Sequence, residues 1–366
     1  MTGRPTGGIL LAATSLLLGA AAPAQETAAK LDQCFHLQSA KLPFSGIAVA
    51  SDGQARFERA SGFADTAKSR PPSMHTPFRL ASVQKVLTAV AIGQLADRGK
   101  VSLDAPVGTY LQGLPPPIAK VTIDQLLHHQ SGVASMTMLN PQIARTLLSA
   151  KTARDLIPLV AAEPLAFPPG SKTQYSNGGY YLLGAVIEAM SGRSYGDYLQ
   201  GQVFTPLQMT HSGMLAAEGT ATRFTRMSPR GPLASPQPVA GEPDFPATAA
   251  GDGVSSAEDM LLLGRALVGD TLISKAVKER IFQHLTTPWK IGQSGGTIGE
   301  NTDFAVFPDN GWVTVVLSNY DPPAGELMGE VLRKVAAGGP CAPLGPEDRP
   351  SPFQLIVKPP PGAAHS

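Results

Sequence analysis

The chain has 366 residues, of which 43% are hydrophobic and 16% are charged. Its 29 lysine and arginine residues nearly balance its 28 acidic residues, and no long basic run occurs. The sequence therefore gives no support for nucleic acid or an anionic membrane surface as a partner. A chain of this length and apolar content can bury a large core, in one big domain or in two closely packed ones.

The first 24 residues have the features of a secretory signal peptide. Arg4 is their only charged residue, an apolar stretch runs from Ile9 to Ala22, and Ala22-Pro23-Ala24 suits a small-x-small cleavage site. The apolar stretch is shorter than the roughly 20 residues that a membrane-spanning helix needs, so a transmembrane anchor is the weaker interpretation. The sequence predicts a periplasmic or secreted protein whose mature chain is not inserted in a membrane.

Export would permit a disulfide bond between the two cysteines of the chain, Cys34 and Cys341. They flank almost the whole mature chain, so a bridge would tie its ends together. Two free thiols are the alternative. We favour the bridge, since exported proteins seldom keep loose thiols.

Predicted strands lie near both ends of the chain, and predicted helices lie between them. The pair Asp52-Gly53 joins the first two strand-like runs and is a strong hairpin signal. The predicted strands are 44–51, 54–63, 289–297, 302–307 and 312–319. The predicted helices are 26–40, 82–98, 123–128, 179–191, 195–203, 256–267 and 325–337. Six prolines between 228 and 246 predict a loop there.

This order of elements implies an α+β fold in which both chain ends build one antiparallel sheet and a mainly helical lobe is inserted between them. We expect one domain over 25–340, with a sheet lobe at about 25–75 and 285–340 and a helical lobe at about 76–284. The proline-rich tail, 341–366, is expected to be irregular. A cleft between sheet and lobe is where a ligand site tends to lie.

Ser82 and Lys85 are three residues apart on a predicted helix and therefore share one face of it. A serine hydroxyl becomes a nucleophile when a base takes its proton, and a lysine kept neutral by burial can be that base. The N–H of Ser82, unpaired at a helix N-terminus, can also help to hold an oxyanion. Alone, Ser-x-x-Lys is a weak signal, and an ordinary N-cap serine is the simpler interpretation.

Tyr175-Ser176-Asn177 offers a phenol and an amide two residues apart, which an extended segment would aim at one spot. Tyr175 would carry a proton to a leaving group with the help of Lys85. Asn177 would hydrogen-bond a substrate carbonyl and steady Lys85. The alternative is a turn in which Asn177 caps the helix that follows.

Gly292-Gln293-Ser294-Gly295-Gly296 has two interpretations. It matches Gly-x-Ser-x-Gly, the nucleophile elbow of α/β-hydrolases. That elbow needs a helix straight after the serine and then an acid and a histidine, whereas a turn and a strand are predicted here and the only later histidine is His365. We therefore expect Ser294 to line the cleft as a hydroxyl on an edge strand.

The sequence predicts no cofactor and no metal site. His128 and His129 are adjacent and would point in different directions, while the other histidines are scattered. We expect both to be structural residues. The chain also carries no phosphate-binding loop and no dinucleotide fingerprint.

Taken in order, the Ser82–Lys85, Tyr175–Asn177 and Gln293–Gly295 segments resemble the three motifs of the penicillin-recognising serine hydrolases: Ser-x-x-Lys, Tyr-x-Asn and Lys/His-Thr/Ser/Gly-Gly. The chain is similar to class C β-lactamases and their penicillin-binding-protein, D-alanyl-D-alanine carboxypeptidase and esterase relatives. The resemblance covers about residues 30–338. The further matching segments are 78–82, 124–132, 175–192, 204–210 and 251–260.

The resemblance implies a serine hydrolase that forms a covalent acyl-enzyme without a metal. Ser82 would attack a carbonyl, Lys85 and Tyr175 would manage the protons, and Tyr175 would activate water for deacylation. The N–H groups of Ser82 and Gly296 would form the oxyanion hole. The other motif residues would contact substrate: Asn177, Gln293, Ser294 and Gly295.

Gln293 departs from the family pattern, because a Lys or His there helps to bind the carboxylate of penicillins or D-Ala-D-Ala peptides. Losing a charge-assisted contact weakens an interaction by roughly 1.5–3 kcal/mol. We therefore expect poor β-lactamase activity and favour esterase, D-amino-acid amidase or peptidase chemistry. The expected partner is a small-molecule or peptide substrate, with a cell-wall fragment as one candidate.

A rival interpretation is a catalytically impaired protein that binds peptidoglycan or a partner on the same fold. Gln293 supports it. The chain nevertheless retains the nucleophile, both proton carriers and the amide of the second motif, which a protein without turnover would be under little pressure to keep. We therefore favour the enzyme.

Overall fold

The computed structural model describes residues 12–348 apart from 66, 68, 137–139, 217, 229–230, 240–244 and 283–290, with side chains from residue 23 onward except at 227–228 and 231–234. Its strands are β1 (Gly46–Ser51), β2 (Arg56–Ser61), β3 (Phe78–Arg79), β4 (Phe224–Ser228), β5 (Gly231–Pro238), β6 (Val254–Ser255), β7 (Ile291–Thr297), β8 (Glu300–Val306) and β9 (Val313–Ser318). Its α-helices are α1 (Ala12–Lys41), α2 (Gln84–Asp97), α3 (Pro116–Ala119), α4 (Ile123–Leu127), α5 (Pro141–Ser149), α6 (Ile157–Ala161), α7 (Asn177–Ser191), α8 (Tyr195–Leu199), α9 (Ala257–Val268), α10 (Lys275–Phe282) and α11 (Ala324–Ala336).

Both ends of the chain contribute to one five-stranded sheet, with the order β2-β1-β9-β8-β7. All its neighbouring strands are antiparallel, and Gly46 of β1 lies opposite Ser318 of β9. Every residue of β1, β8 and β9 is buried, as expected of inner strands that are covered on both faces. The predicted α+β class and the origin of the sheet in both chain ends are confirmed.

The two faces of this sheet pack against different parts of the chain. Because side chains alternate along a strand, Ala48 and Ala50 join the core formed with α1 and α11, whereas Ile47 and Val49 join the larger core of the helical region. The sheet is thus the wall against which the inserted helices stack.

Helix α2 forms the centre of the helical region and is buried along most of its length, from Gln84 to Leu95. A helix that is apolar all round belongs in the middle of a core, and α7 packs against it. The predicted helix at 82–98 begins in the structure with a 3₁₀ turn, Ala81–Val83, before α2 takes over. Gly99 follows with a φ of 67°, in the left-handed conformation expected of a C-terminal cap.

The proline-rich stretch at 228–246 differs from the prediction of a loop, because its first part forms a hairpin. Strands β4 and β5 pair antiparallel, with Phe224 opposite Pro238. Both strands of a two-stranded ribbon are edge strands, so the prolines do not remove hydrogen bonds from a strand that is paired on both sides. The side chain of Asp321 anchors the ribbon by accepting hydrogen bonds from Thr225 Oγ1 (2.8 Å) and the Arg226 N–H (2.6 Å). Residues 229–230 and 240–244 lie outside the described part.

At the N-terminus, the predicted helix at 26–40 is part of the longer α1. The predicted signal peptide falls partly outside the described residues and stays a prediction. Among the helices that the structure describes, none is long and apolar enough to cross a membrane. Of the predicted irregular tail, 341–348 is described and includes a short 3₁₀ turn, Pro346–Asp348, while 349–366 lies outside.

Cys34 and Cys341 form a disulfide that joins α1 to the segment after α11. Hydrogen bonds reinforce this junction. The Gln38 side chain exchanges two of them with the backbone of Leu344 (3.0 and 2.8 Å), and Lys30 Nζ donates to Gly339 O (2.8 Å). The two chain ends are therefore held together on one face of the sheet.

Replacing both cysteines with serine is expected to lower the free energy of unfolding by about 2–5 kcal/mol, because the bridge restricts an unfolded loop that spans a sequence separation of 307 residues. Urea denaturation of oxidised wild-type and Cys34→Ser/Cys341→Ser proteins would measure the difference. Intact mass must first show that the wild-type thiols are oxidised. Equal midpoints and slopes would contradict the expected stabilisation.

Candidate active site

The candidate nucleophile, Ser82, lies in the 3₁₀ turn that precedes α2. Ala81 adopts a φ of 43°, an uncommon left-handed conformation for a residue with a side chain, and such strain tends to occur at functional sites. The turn is held from one side, where the Leu80 N–H donates to Gly253 O (2.7 Å) and the Asp252 N–H donates to Ala81 O (3.3 Å). The segment around Gly253 thus fixes the position of Ser82.

Ser82, Lys85, Tyr175 and Asn177 meet at one point, as the motifs predict. Ser82 Oγ is 2.5 Å from the Tyr175 hydroxyl and 3.3 Å from Lys85 Nζ. Lys85 Nζ also donates to Asn177 Oδ1 (2.9 Å) and to Ala250 O (2.5 Å). The nucleophile therefore touches two groups that can exchange its proton.

Burial determines the charges of these groups. Lys85 is 1% exposed, and removal from water lowers the pKa of its ammonium to about 7, against a smaller opposing effect of Asp252. Burial also raises the pKa of Tyr175 above its usual range, although its hydrogen bond to Ser82 opposes the rise. Near neutral pH a substantial fraction of Lys85 is therefore a free amine, while Tyr175 keeps its proton.

The local backbone explains why Tyr175 and Asn177 share a target. Ser176 between them is extended (φ −144°, ψ 120°) and is the N-cap of α7, since its Oγ accepts from the Gly179 N–H (3.0 Å). Its hydroxyl also donates to Ala134 O (2.8 Å). The cap is Ser176, so Asn177 does not cap the helix and its side chain is directed to Lys85.

His129 lies nearer the reacting groups than the sequence indicated. Its ring packs on those of Tyr175 and Tyr180, with centroids 4.7 and 5.2 Å away, and its Nδ1 accepts from the Ser176 N–H (3.2 Å). Burial first, and then the nearby Lys85, lowers the pKa of His129 to about 3, so the ring is neutral. His129 therefore supports the Tyr175–Asn177 segment by packing against it.

The neighbouring His128 is held away from this cluster. It is buried, with Nδ1 3.2 Å from Asp124 Oδ2 and Nε2 2.8 Å from Ile281 O. The two adjacent histidines thus point apart, as expected. Within the described part of the chain, no group of three or more His, Cys, Asp or Glu side chains is gathered as a metal site would require.

Strand β7 brings the third motif against the nucleophile. A Cβ added to Gly295 would lie only 2.5 Å from the backbone N of Ser82 and 3.0 Å from Leu80 O, so the approach is open only to glycine. Gly296 follows it and is exposed, on an edge strand of the sheet. The structure therefore places the two residues of the predicted oxyanion hole, Ser82 and Gly296, on adjoining segments.

Gln293 and Ser294 differ in orientation along β7. Gln293 is half-buried, and its side-chain amide donates to Ser294 O (2.6 Å). The Ser294 hydroxyl instead donates to the buried Asp303 (2.7 Å), beside Arg333 of α11. Ser294 thus faces the α11 side of the sheet, and the expectation that its hydroxyl lines the cleft is wrong. It lies mid-strand with no helix after it, so it is not a nucleophile elbow either.

A family model for beta-lactamases matches residues 31–337. The chain belongs to the beta-lactamase family. The resemblance inferred from the three motifs is thereby confirmed, and so is the relationship to serine hydrolases. Relatives in this family differ in the activities that their names state, so membership alone leaves the substrate open.

Two curated relatives and one solved structure show this spread. Esterase EstB of Burkholderia gladioli is 35% identical over 210 residues, which is 53% of this chain and 53% of that protein. Penicillin-binding protein 4* of Bacillus subtilis is 30% identical over 188 residues, 50% of this chain and 40% of that protein. A penicillin binding protein from Bacillus halodurans superimposes with a TM-score of 0.69 at 27% identity and covers 83% of this chain and 97% of its own. The matches span about half the length of the two curated relatives.

Proposed function

We propose that this protein is an exported serine hydrolase that forms a covalent acyl-enzyme on an ester, amide or peptide carbonyl. The observation that carries the proposal is the contact of Ser82 Oγ with the Tyr175 hydroxyl (2.5 Å) and with the buried amine of Lys85 (3.3 Å). A nucleophile within hydrogen-bond reach of a base, itself held by further groups, is the arrangement that covalent catalysis needs.

In the proposed acylation, the neutral Lys85 amine takes the Ser82 proton, directly or through Tyr175, as Ser82 Oγ bonds to the substrate carbonyl carbon. The N–H groups of Ser82 and Gly296 stabilise the negative charge on the carbonyl oxygen. Tyr175 then passes a proton to the leaving alcohol or amine. In deacylation, the same pair of proton carriers takes a proton from water, which attacks the acyl carbon and releases Ser82.

The side chain at Gln293 favours a neutral substrate. It offers an amide where a cation would attract a carboxylate, and in the structure this amide bonds to Ser294 O. The name of esterase EstB states one activity that needs no carboxylate on the substrate. We therefore propose esters and amides without a free carboxylate as the first substrates to screen.

The test is the intact mass of the protein after incubation with a fluorophosphonate and, separately, with benzylpenicillin. We expect one fluorophosphonate adduct on wild type and none on Ser82→Ala. A penicillin adduct as well would bring cell-wall peptides to the front of the substrate screen. No adduct with either reagent would contradict the hydrolase and favour a binding protein on the same fold, for which the uncharged Gln293 is the supporting observation.

The hydrolysis of a neutral p-nitrophenyl ester is expected to rise with pH and to level off above about pH 7, because Lys85 acts as a base only after losing its proton and burial lowers its pKa to about 7. The raised pKa of Tyr175 predicts no fall in rate up to pH 9. A profile of kcat/KM from pH 5 to 9 measures both. A rate that does not change between pH 5 and 8 would show that Lys85 is not the base.

Gln293→Lys is expected to speed acylation by benzylpenicillin by about 10- to 100-fold, since a charge-assisted contact to the carboxylate adds roughly 1.5–3 kcal/mol. The rate of adduct formation, followed by intact mass, measures the change. Gln293→Met is the matched control of similar length without charge. Equal rates for the lysine and methionine variants would show that this side chain does not reach the substrate carboxylate.

A further inference from the structure

Asp252 lies beside the nucleophile turn, and none of the predicted steps uses it. It adopts a φ of 74°, a left-handed conformation uncommon outside glycine, and its N–H donates to Ala81 O. Two residues earlier, Ala250 O accepts the hydrogen bond from Lys85 Nζ. The segment that carries Asp252 is therefore in contact with both the nucleophile and its base.

Glu300, the first residue of β8, has its carboxyl within hydrogen-bond reach of the Asp252 carboxyl. It is 2% exposed, and within the described part of the chain no amide, hydroxyl, amine or guanidinium group donates a hydrogen bond to either of its carboxyl oxygens. Burial and then the Asp252 carboxyl raise the pKa of Glu300 to about 8, and burial also raises the pKa of Asp252. A buried carboxyl and a half-buried one side by side cannot both ionise easily, and a proton held between them supplies the missing hydrogen bond.

The charged groups that face this pair come from several elements. Arg79 of β3 and Arg223, just before β4, lower the pKa values of both carboxyls, and Lys85 of α2 also lowers that of Asp252. The other titratable neighbours are the phenols on which Asp252 acts: Tyr175 and Tyr181. The arginines favour keeping one negative charge on the pair.

We propose that Asp252 and Glu300 are positioning residues of the hydrolase: they share one proton, and the single charge that they retain sets how firmly Lys85 holds its own proton. This inference rests on the proposed function of the same site. When the shared proton leaves, the charge beside Lys85 doubles and the amine becomes harder to deprotonate. A neutral pair would have the opposite effect.

Three variants separate this role from a structural one. Asp252→Asn removes a carboxyl whose charge raises the pKa of Lys85, and asparagine readily adopts the left-handed conformation found at 252. Glu300→Gln keeps the shape and a hydrogen-bond donor but cannot lose a proton. Glu258→Gln is the matched control, since it removes a carboxylate that pairs with Arg56 (3.1 Å) away from the nucleophile.

The first readout is the pH profile of kcat/KM for a neutral ester, with the fluorophosphonate labelling rate of Ser82 as a second measure. In Asp252→Asn the acidic limb of the profile is expected to move to lower pH by about 1 unit, because the carboxylate that favours the charged form of Lys85 is gone. Glu258→Gln should leave the limb in place. An unmoved limb in Asp252→Asn would overturn the proposal.

The second readout needs no activity. The folded protein holds the Glu300 proton up to about pH 8, whereas the unfolded chain loses it near the ordinary value of 4.5. The stabilisation by this proton is complete below about pH 4.5 and is lost as pH rises through 8. The denaturation midpoint of wild type should therefore fall, relative to Glu300→Gln, from pH 5 to 8.

Parallel midpoints of wild type and Glu300→Gln over this range would overturn the shared proton. A wild type that neither hydrolyses the ester nor reacts with the fluorophosphonate would overturn the hydrolase and the role assigned to the pair. Active wild type with unmoved profiles would overturn the role alone, so the two failures are distinguishable.

Discussion

Lys85→Met is expected to lower kcat/KM for ester hydrolysis by about 10²–10⁴-fold, the usual contribution of a positioned base. Methionine has a similar length and suits a buried site, but it accepts no proton. It also leaves Asn177 Oδ1 and Ala250 O without the donor that Lys85 supplies. Steady-state kinetics with a p-nitrophenyl ester would measure the loss.

Lys278 provides the matched control, since it is a second buried lysine. It is 6% exposed and donates to Leu267 O (2.9 Å) and Gly269 O (2.7 Å), neither of which belongs to the three motifs. Lys278→Met should reduce stability and leave kcat/KM of the folded fraction unchanged. Activity of Lys85→Met within fivefold of wild type would rule out Lys85 as the base.

Gly295→Ala is expected to reduce acylation by about 10²-fold or more, because the added methyl group would overlap the backbone N of Ser82 and push β7 away from the nucleophile. The same overlap should lower the free energy of unfolding by about 1–3 kcal/mol. The fluorophosphonate labelling rate and urea denaturation would measure the two effects separately.

Gly213→Ala tests whether any glycine-to-alanine change has this result. A Cβ at Gly213 meets nothing within 4 Å, so this variant should behave like wild type. Unchanged labelling in Gly295→Ala would mean that β7 can move aside without harm, and that its contact with Ser82 is not needed for an oxyanion hole.

The sequence was informative where a feature depends on neighbouring residues. Ser82 and Lys85 share a helical face because they are three residues apart, and Tyr175 and Asn177 share a target because one extended residue separates them. The construction of one sheet from both chain ends also followed, because the strand-like runs lie near those ends. In each case the spacing along the chain fixes the direction of the side chains.

The features that the sequence did not predict depend on which face of a strand a side chain occupies, or on contacts between residues that are far apart in the sequence. Ser294 was assigned to the wrong face of β7, and on a strand an error of one residue reverses the side. Asp252 and Glu300 lie 48 positions apart in the numbering and meet only through the packing of β8 against the nucleophile turn. The packing of His129 on Tyr175 likewise had no local signal beyond the neighbouring Gln-Ser-Gly segment.

The hairpin of β4 and β5 shows a different limit. Its prolines argue against an inner strand, and that inference holds, but they say nothing against a two-stranded ribbon at the surface. The anchor is the side chain of Asp321, which lies more than eighty residues later in the chain and also accepts the Gly299 N–H (2.7 Å). No pattern within 228–246 could have indicated it.

The pairing of β1 with β9 has a consequence for the order in which the molecule is made. Gly46 emerges from the ribosome early, but its partner Ser318 emerges only when most of the chain has been synthesised. A sheet whose inner strands come from opposite ends forms late and through long-range contacts, which fold slowly. Because β7 also belongs to the last part of the chain, Ser82 and Lys85 are translated long before the strand that faces them. A growing chain therefore carries its nucleophile without the rest of the site.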